Sequence, residues 1–196
     1  FQDQVDLLRI HPNGPSDQIT CEVLAIQFAR RRESARPPGA QPVAAPKAAG
    51  GLPDLEVQSV EARGNPVVVR APSQQLEARG EDLKYDLQGQ SIVLKGSHEV
   101  SIKQAANEIH ARRVEYKMAA AGRLGEASAE GPGWLRGQIG DKLAQPLQAQ
   151  WKGQLHVRPD EHNQHVISLI GEAEMNYGAL GKLEAAEIHF WLNEAQ

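Results

Sequence analysis

The chain is short of four things, and each shortage excludes something. It has one cysteine, Cys21, so no internal disulfide can staple it. Aromatic residues make up only 5% of the sequence, so the core is not built on large rings. Lysine and arginine number 21 against 25 aspartates and glutamates, a net charge of −4. A nucleic-acid partner would need a basic stripe to hold its phosphates, and none is visible. No apolar run is long enough to span a bilayer as a helix, and no signal peptide is recognisable. The first residues, FQDQVDLLRI, already read as strand, so the chain is expected to be part of a longer precursor. The lack of a leader therefore says nothing about compartment.

Catalytic signatures are equally sparse. Ser97, Ser101 and Ser168 lack the GxSxG elbow that activates a nucleophile. His98-Glu99 lacks the helical HExxH context of a zinc protease, and GRLGEASAEGPG lacks the Lys-Ser/Thr of a phosphate loop. Glu172 and Glu174 share a face, as carboxylates do on any solvated strand. The best metal candidate is His162 and His165 with Asp160 and Glu161, but it sits in a polar turn without a third cluster. Neither a metal nor a cofactor is expected, and no enzymatic activity. Cys21 reads as a buried structural thiol. Trp191 is out of phase with Phe190, so one of the two faces outward.

What the chain has is alternation. In Gly96–Met118, Val100 and Ile102, then Ile109 and Ala111, then Val114, Tyr116 and Met118 recur at spacing two, the period of a half-buried strand. Similar segments fill the chain from Leu55 onward: LEVQSVEA, NPVVVRA, QQLEARG, DLKYDLQGQSIVLKG, then LQAQWKGQLHVRP as a hairpin-like pair, and three closing segments within HVISLIGEAEMNYGALGKLEAAEIHFWL. LQGQS is a hairpin turn, and the stretch from Ala119 to Gly140 reads as weaker, irregular strands. Residues 1–29 form a separate strand unit, expected to close a preceding repeat, although CEVLAIQFARRR also admits a helix. Residues 30–53 are rich in Pro, Ala and Gly with almost no large apolar side chain, so they read as a linker or mobile loop. Residues 54–196 form the main domain.

Three stretches superimpose as a repeat. Ile19/Cys21, Ile109/Ala111 and Leu183/Ala185 each set a small residue two after an aliphatic one. Three residues later stand Leu24, Val114 and Ile188, and two beyond those Ile26, Tyr116 and Phe190. The step of three breaks the alternation once, so each strand is expected to kink beside its small residue and continue. In a weaker copy, Leu76/Ala78 leads to Leu83/Tyr85 with Gly80-Glu81 extra, which suits a bulge. Such units stack into an elongated two-sheet structure with facing apolar surfaces.

The stretch LEARGEDLKYDLQGQSIVLKGSHEVSIKQAANEIHARRVEYKM and the later GEAEMNYGALGKLEAAEIHFWL resemble the OstA-like domain of the lipopolysaccharide-transport periplasmic proteins. The resemblance covers residues 55–192. It implies an all-β fold, an elongated and slightly open antiparallel β-jellyroll of stacked hairpins. It also implies a non-enzymatic protein of the periplasm or envelope that binds the acyl chains of a lipopolysaccharide-like lipid. Its other partners would be like β-jellyroll domains, joined by edge-strand pairing. The candidate groove residues are Leu83, Tyr85, Ile92, Leu94, Val100, Ile102, Ile109, Val114, Tyr116, Ile167, Leu169, Met175, Leu183, Ile188 and Phe190, which could equally be plain core. The alternative is a structural β-scaffold that assembles end to end without lipid. A carbohydrate-active domain is a third reading, weakened by the want of an acid/base pair.

Overall fold

The computed structural model describes residues 4–9, 14–30, 55–119, 125–139, 145–160, 164–178 and 181–192. The expected linker lies outside these residues, apart from Arg30, which ends a strand. The strands are β1 (Val5–Arg9), β2 (Asp17–Cys21), β3 (Val23–Arg30), β4 (Leu55–Ala71), β5 (Leu76–Asp86), β6 (Ser91–Gln104), β7 (Asn107–Lys117), β8 (Glu126–Glu130), β9 (Gly133–Ile139), β10 (Gln145–Trp151), β11 (Gln154–Pro159), β12 (His165–Tyr177) and β13 (Gly181–Leu192). The fold is all-β, as the alternation requires, and the helical option for CEVLAIQF falls away because Val23–Arg30 is a strand.

The strand order contains apparent crossovers that are not crossovers. β8 and β9 are two halves of one strand, broken only at Gly131-Pro132, and β7 pairs with both. β10 and β11 are likewise one strand interrupted at Lys152-Gly153, and both pair with β12 in unbroken register, Gln150 with Glu174 and Gln154 with Ile170. β2 and β3 are halves of a strand that bends at Glu22, and both pair with β4. With the halves rejoined, the sheet is an antiparallel meander in which each strand pairs with its chain neighbours.

Every long strand bends at the same level, so one crease runs across the sheet. The crease passes through Gly64-Asn65-Pro66 of β4, Gly80-Glu81 of β5, Gly96–Glu99 of β6, Ala111–Arg113 of β7, Gly131-Pro132, Lys152-Gly153 and Gly171-Glu172 of β12. It divides the sheet into two wings. The first holds β3, β8, β11 and the adjoining halves of β4–β7, β12 and β13. The second holds β1, β2, β9, β10 and the remaining halves. The kink at Ala111–Val114 is where the sequence puts it, whereas at Gly80-Glu81 the extra residues lie on the neighbouring strands: β4 takes four steps from Arg63 to Val67 against two in β5, and β6 takes six from Lys95 to Ser101 against three.

The crease corrects four sequence readings. LEVQSVEA and NPVVVRA are one strand, Leu55–Ala71, because Gly64–Pro66 bends the chain without turning it back. Lys152-Gly153 is not a hairpin turn, since β10 and β11 pair with β9, β8 and β12 rather than with each other. Glu126–Glu130 and Gly133–Ile139 are regular strands, not irregular ones. The closing region holds two strands rather than three. In each case a glycine beside a polar residue was read as a turn, and a crease uses the same residue types.

The repeat maps onto rows that run across the strands. In the second wing, Ile19, Val69, Ala78, Ile102, Ile109, Leu135, Ala149, Met175 and Leu183 follow one another through the register. In the first wing the matching row is Leu24, Ala62, Leu83, Leu94, Val114, Ala129, Leu155, Leu169 and Ile188. Members of both rows join one apolar cluster, so the wings fold face to face over it. Beside the crease, Cys21, Ala62, Ala111, Ala129 and Ala173 are buried, and their small side chains let the wings converge there.

Candidate functional site

Burial is graded from the crease outward. Leu83, Leu94, Val114 and Leu169 of the first wing are buried, as are Val100 and Met175 of the second. One step farther out in the first wing runs the row Ile26, Val60, Tyr85, Ile92, Tyr116, Ala127, Val157, Ile167 and Phe190. Tyr85, Ile92, Ile167 and Phe190 of that row are half-buried, and Tyr116 is 36% exposed. In the second wing Ile102 and Ile109 are half-buried and Leu183 is 45% exposed; Ile188 is half-buried. The fifteen candidate residues thus lie on the inner faces of the two wings: six are buried, seven are half-buried and two are exposed. The inner surface offers mainly apolar area, and the hydroxyls of Tyr85 and Tyr116 are the hydrogen-bonding groups among these fifteen side chains.

The two ends of the meander differ from its middle. Among the described residues β13 pairs only with β12, β1 only with β2, and β3 only with β4, so each leaves one edge without a strand partner. Apart from Tyr116, the exposed large apolar side chains sit at these ends. Leu8, Val23, Phe28 and Leu55 mark one end, and Leu183 and Trp191 the other. Trp191 is 57% exposed while Phe190 is half-buried, which is the phase difference read in the sequence.

The outer faces carry polar ladders. Ser168, His189 and Glu187 form a file, with His189 Nδ1 2.8 Å from the Ser168 hydroxyl and Nε2 3.3 Å from Glu187. The order of groups is that of a hydrolase, but the setting is not. Ser168 is buried between β11 and β13, whose ladders on both sides engage the neighbouring backbone N–H groups an oxyanion would need. No group of three or more His, Cys, Asp or Glu side chains able to hold a metal occurs among the described residues. Glu161, His162 and Asn163 of the sequence candidate lie outside them. Burial raises the Cys21 thiol above its ordinary pKa, with Asp6 adding to the effect, so it is not a ready nucleophile.

His110 is drawn into a cluster between β7 and β9. Its side chain is 18% exposed and stacks on Trp134, with ring centroids 4.0 Å apart. Glu99 meets its Nδ1 and Glu108 lies 3.0 Å from its Nε2. This cluster had no signal in the linear sequence, because the β7–β9 register that creates it joins residues 24 positions apart.

Comparison with known proteins agrees with the fold. A search of curated proteins finds no match. Residues 33–121 match the family described as LptA/(LptD N-terminal domain) LPS transport protein, a span that includes β4–β7 and the crease through them. Over that span the chain is similar to this lipopolysaccharide-transport family.

Proposed function

We propose that the protein is a non-enzymatic periplasmic module that holds lipopolysaccharide acyl chains between its wings and bridges to like domains through its end strands. The observation that carries this reading is the burial gradient on the inner faces, together with the family match. Near the crease the apolar rows are closed over one another, and away from it Tyr85, Ile92, Tyr116, Ile167 and Phe190 keep free surface. An acyl chain laid along that row gains about 0.8 kcal/mol for each CH₂ it buries. Leu83, Leu94, Val100, Val114, Leu169 and Met175 form the floor beneath it. The main domain spans residues 54–196.

Photo-crosslinking tests the lipid role. p-Benzoylphenylalanine at Ile167, Phe190 or Tyr116 is expected to capture lipopolysaccharide in cells. The same group at Lys84 or His156, on the outer face, is expected to capture none. Equal capture at both sets, or none at either, overturns the reading.

The segregation of exposed apolar residues to the two ends favours a second role, self-assembly without cargo. In that case Trp191→Asp abolishes concentration-dependent oligomers in size exclusion, and the photo-crosslinks to lipid are absent from the wild-type chain.

A further inference from the structure

We infer that the outer face of the second wing binds a neutral oligosaccharide. β9, β10, the end of β12 and the start of β13 lie side by side, and their alternate residues point away from the apolar cluster. There they frame an open depression of about 380 Å³ lined by Trp134, Arg136, Gln148, Gln150, Glu174, Asn176 and Lys182, together with Leu135, Ala149 and Met175. The volume falls within the range of small-molecule sites, roughly 300–1,000 Å³.

Trp134 is an aromatic plate held in place from behind. The imidazole of His110, on β7, stacks against it at 12° between planes and does not line the depression, so the side of the indole toward β10 does. The Arg136 guanidinium lies 5.8 Å from the indole centroid, and its Nε donates to Glu108 at 2.7 Å. Glu108 also contacts His110, so histidine, carboxylate and guanidinium lock one another and the plate. A fixed ring loses little freedom when a ligand settles on it.

The charges around the plate are already matched. Lys182 bridges Glu174 and Glu184, Gln150 donates to Glu174 at 2.7 Å, and Arg136 is held by Glu108. Lys182 and Gln150 hold the Glu174 carboxyl below its ordinary pKa. An anionic ligand finds no uncommitted cation here. The side-chain amides of Gln148 and Asn176 make no side-chain hydrogen bond among the described residues, and each offers a donor and an acceptor to the depression that the indole also lines. A pyranose has the complementary surface: a face of polarised C–H bonds for the ring, and paired hydroxyls for the amides.

The site faces away from the apolar cluster and does not depend on the lipid reading. Its test is a titration of the full chain with cellotetraose, maltotetraose, laminaritetraose and mannotetraose, each to about 20 mM, followed by the indole N–H resonance of Trp134 and, in the variants that lack this indole, by the backbone amide resonances of Gln148 and Gln150. At least one of the four is expected to shift that resonance with a millimolar Kd that about 0.3 M salt leaves unchanged. Gln148→Ala and Asn176→Ala are each expected to weaken it about fivefold to tenfold, and Trp134→Ala to abolish it. Trp134→Phe keeps a ring and is expected to retain binding, which separates loss of the plate from loss of the fold. Trp191→Phe is expected to change nothing. The inference is overturned if none of the four sugars shifts the resonance, if binding survives Trp134→Ala, or if only charged sugars bind and salt removes them.

Discussion

β4–β7 and β8–β13 cross the same crease by different means. In the first region the strands slip. β6 takes five residue steps, Lys95 to Val100, where β7 takes two, Arg113 to Ala111, and β5 and β6 slip between Arg79 and Asp82. In the second region β8–β12 cross in register, and the bend is made by glycines lying against neighbouring backbone. A Cβ at Gly131 would stand 2.6 Å from the Lys152 carbonyl oxygen, at Gly153 2.7 Å from that of Ile170, and at Gly171 2.8 Å from the Gly153 nitrogen. Gly171 also has φ +85°, a conformation that side chains rarely adopt. The first region also brings glycine against backbone, with a Cβ at Gly96 standing 2.6 Å from the Glu99 carbonyl oxygen, so slipping is what sets that region apart. The family match ends at residue 121, within the first region's side of this divide, while the crease continues to β13.

The row beside the crease makes the same contrast in side chains. It alternates large and small: Val67 opposite Gly80, Val100 opposite Ala111, Trp151 opposite Gly133. Val67, Val100 and Trp151 are 2% exposed or less. The second region uses the most unequal pair. A Cβ at Gly133 would meet Trp151 Cζ2 at 2.6 Å, so the indole occupies the space that a side chain at 133 would fill.

The sharpest way to break the comparison is therefore at Trp151. Trp151→Ala is expected to cost about 3–5 kcal/mol in urea unfolding, the range for an emptied core position. Trp151→Val is expected to cost less, and Gly133→Ala should cost less in that background than alone, because the indole contact is gone and only the His110 carbonyl oxygen, 2.7 Å from the new Cβ, remains. A double variant no more stable than the sum of its parts would show that the two regions do not share one packing rule.

Gly171→Ala comes next. Positive φ and the approach to Gly153 act together, and the expected loss is about 2–4 kcal/mol. Gly80→Ala, in the slipped region, would place its Cβ 2.8 Å from Leu94 Cδ1 and 2.9 Å from the Lys95 carbonyl oxygen; without a positive φ to add strain it is expected to cost less, about 1–2 kcal/mol. Equal losses at the two glycines would remove the distinction between a slipped and a stacked crease.

This contrast also explains what was legible in the sequence. Ile19, Ile109 and Leu183 stand in one row of the structure, and Leu24, Val114 and Ile188 in another, as their spacing required. Alternation reports which face a residue takes, so the rows and the kink at Ala111–Val114 could be read. Lys152-Gly153 and Gly131-Pro132 could not, since a glycine that turns the chain and one that lets a neighbour approach look alike in one strand. The apolar rows of the candidate groove were legible for the same reason as the core. Trp134 and His110 were not, because their meeting depends on cross-strand register.

The smallest expected effect lies on the outer face of the second region, at Lys182. Its ammonium bridges Glu184 and Glu174, which raises its own pKa and lowers that of Glu174. A carboxyl lowered in the fold contributes stability above its unfolded pKa, about 4.3, and loses that contribution as pH falls through the lower folded value. Lys182→Met should move the Glu174 titration upward toward the ordinary carboxylate value in carbon-detected NMR, with a change in melting temperature too small to resolve at neutral pH. Glu77, held low by Arg79 on the outer face of the first region, should be unmoved by the same substitution. If Glu77 shifts as well, the outer ladders of the two regions are coupled through the sheet. If Glu174 alone shifts, the crease, and not the surface, is what the two regions have in common.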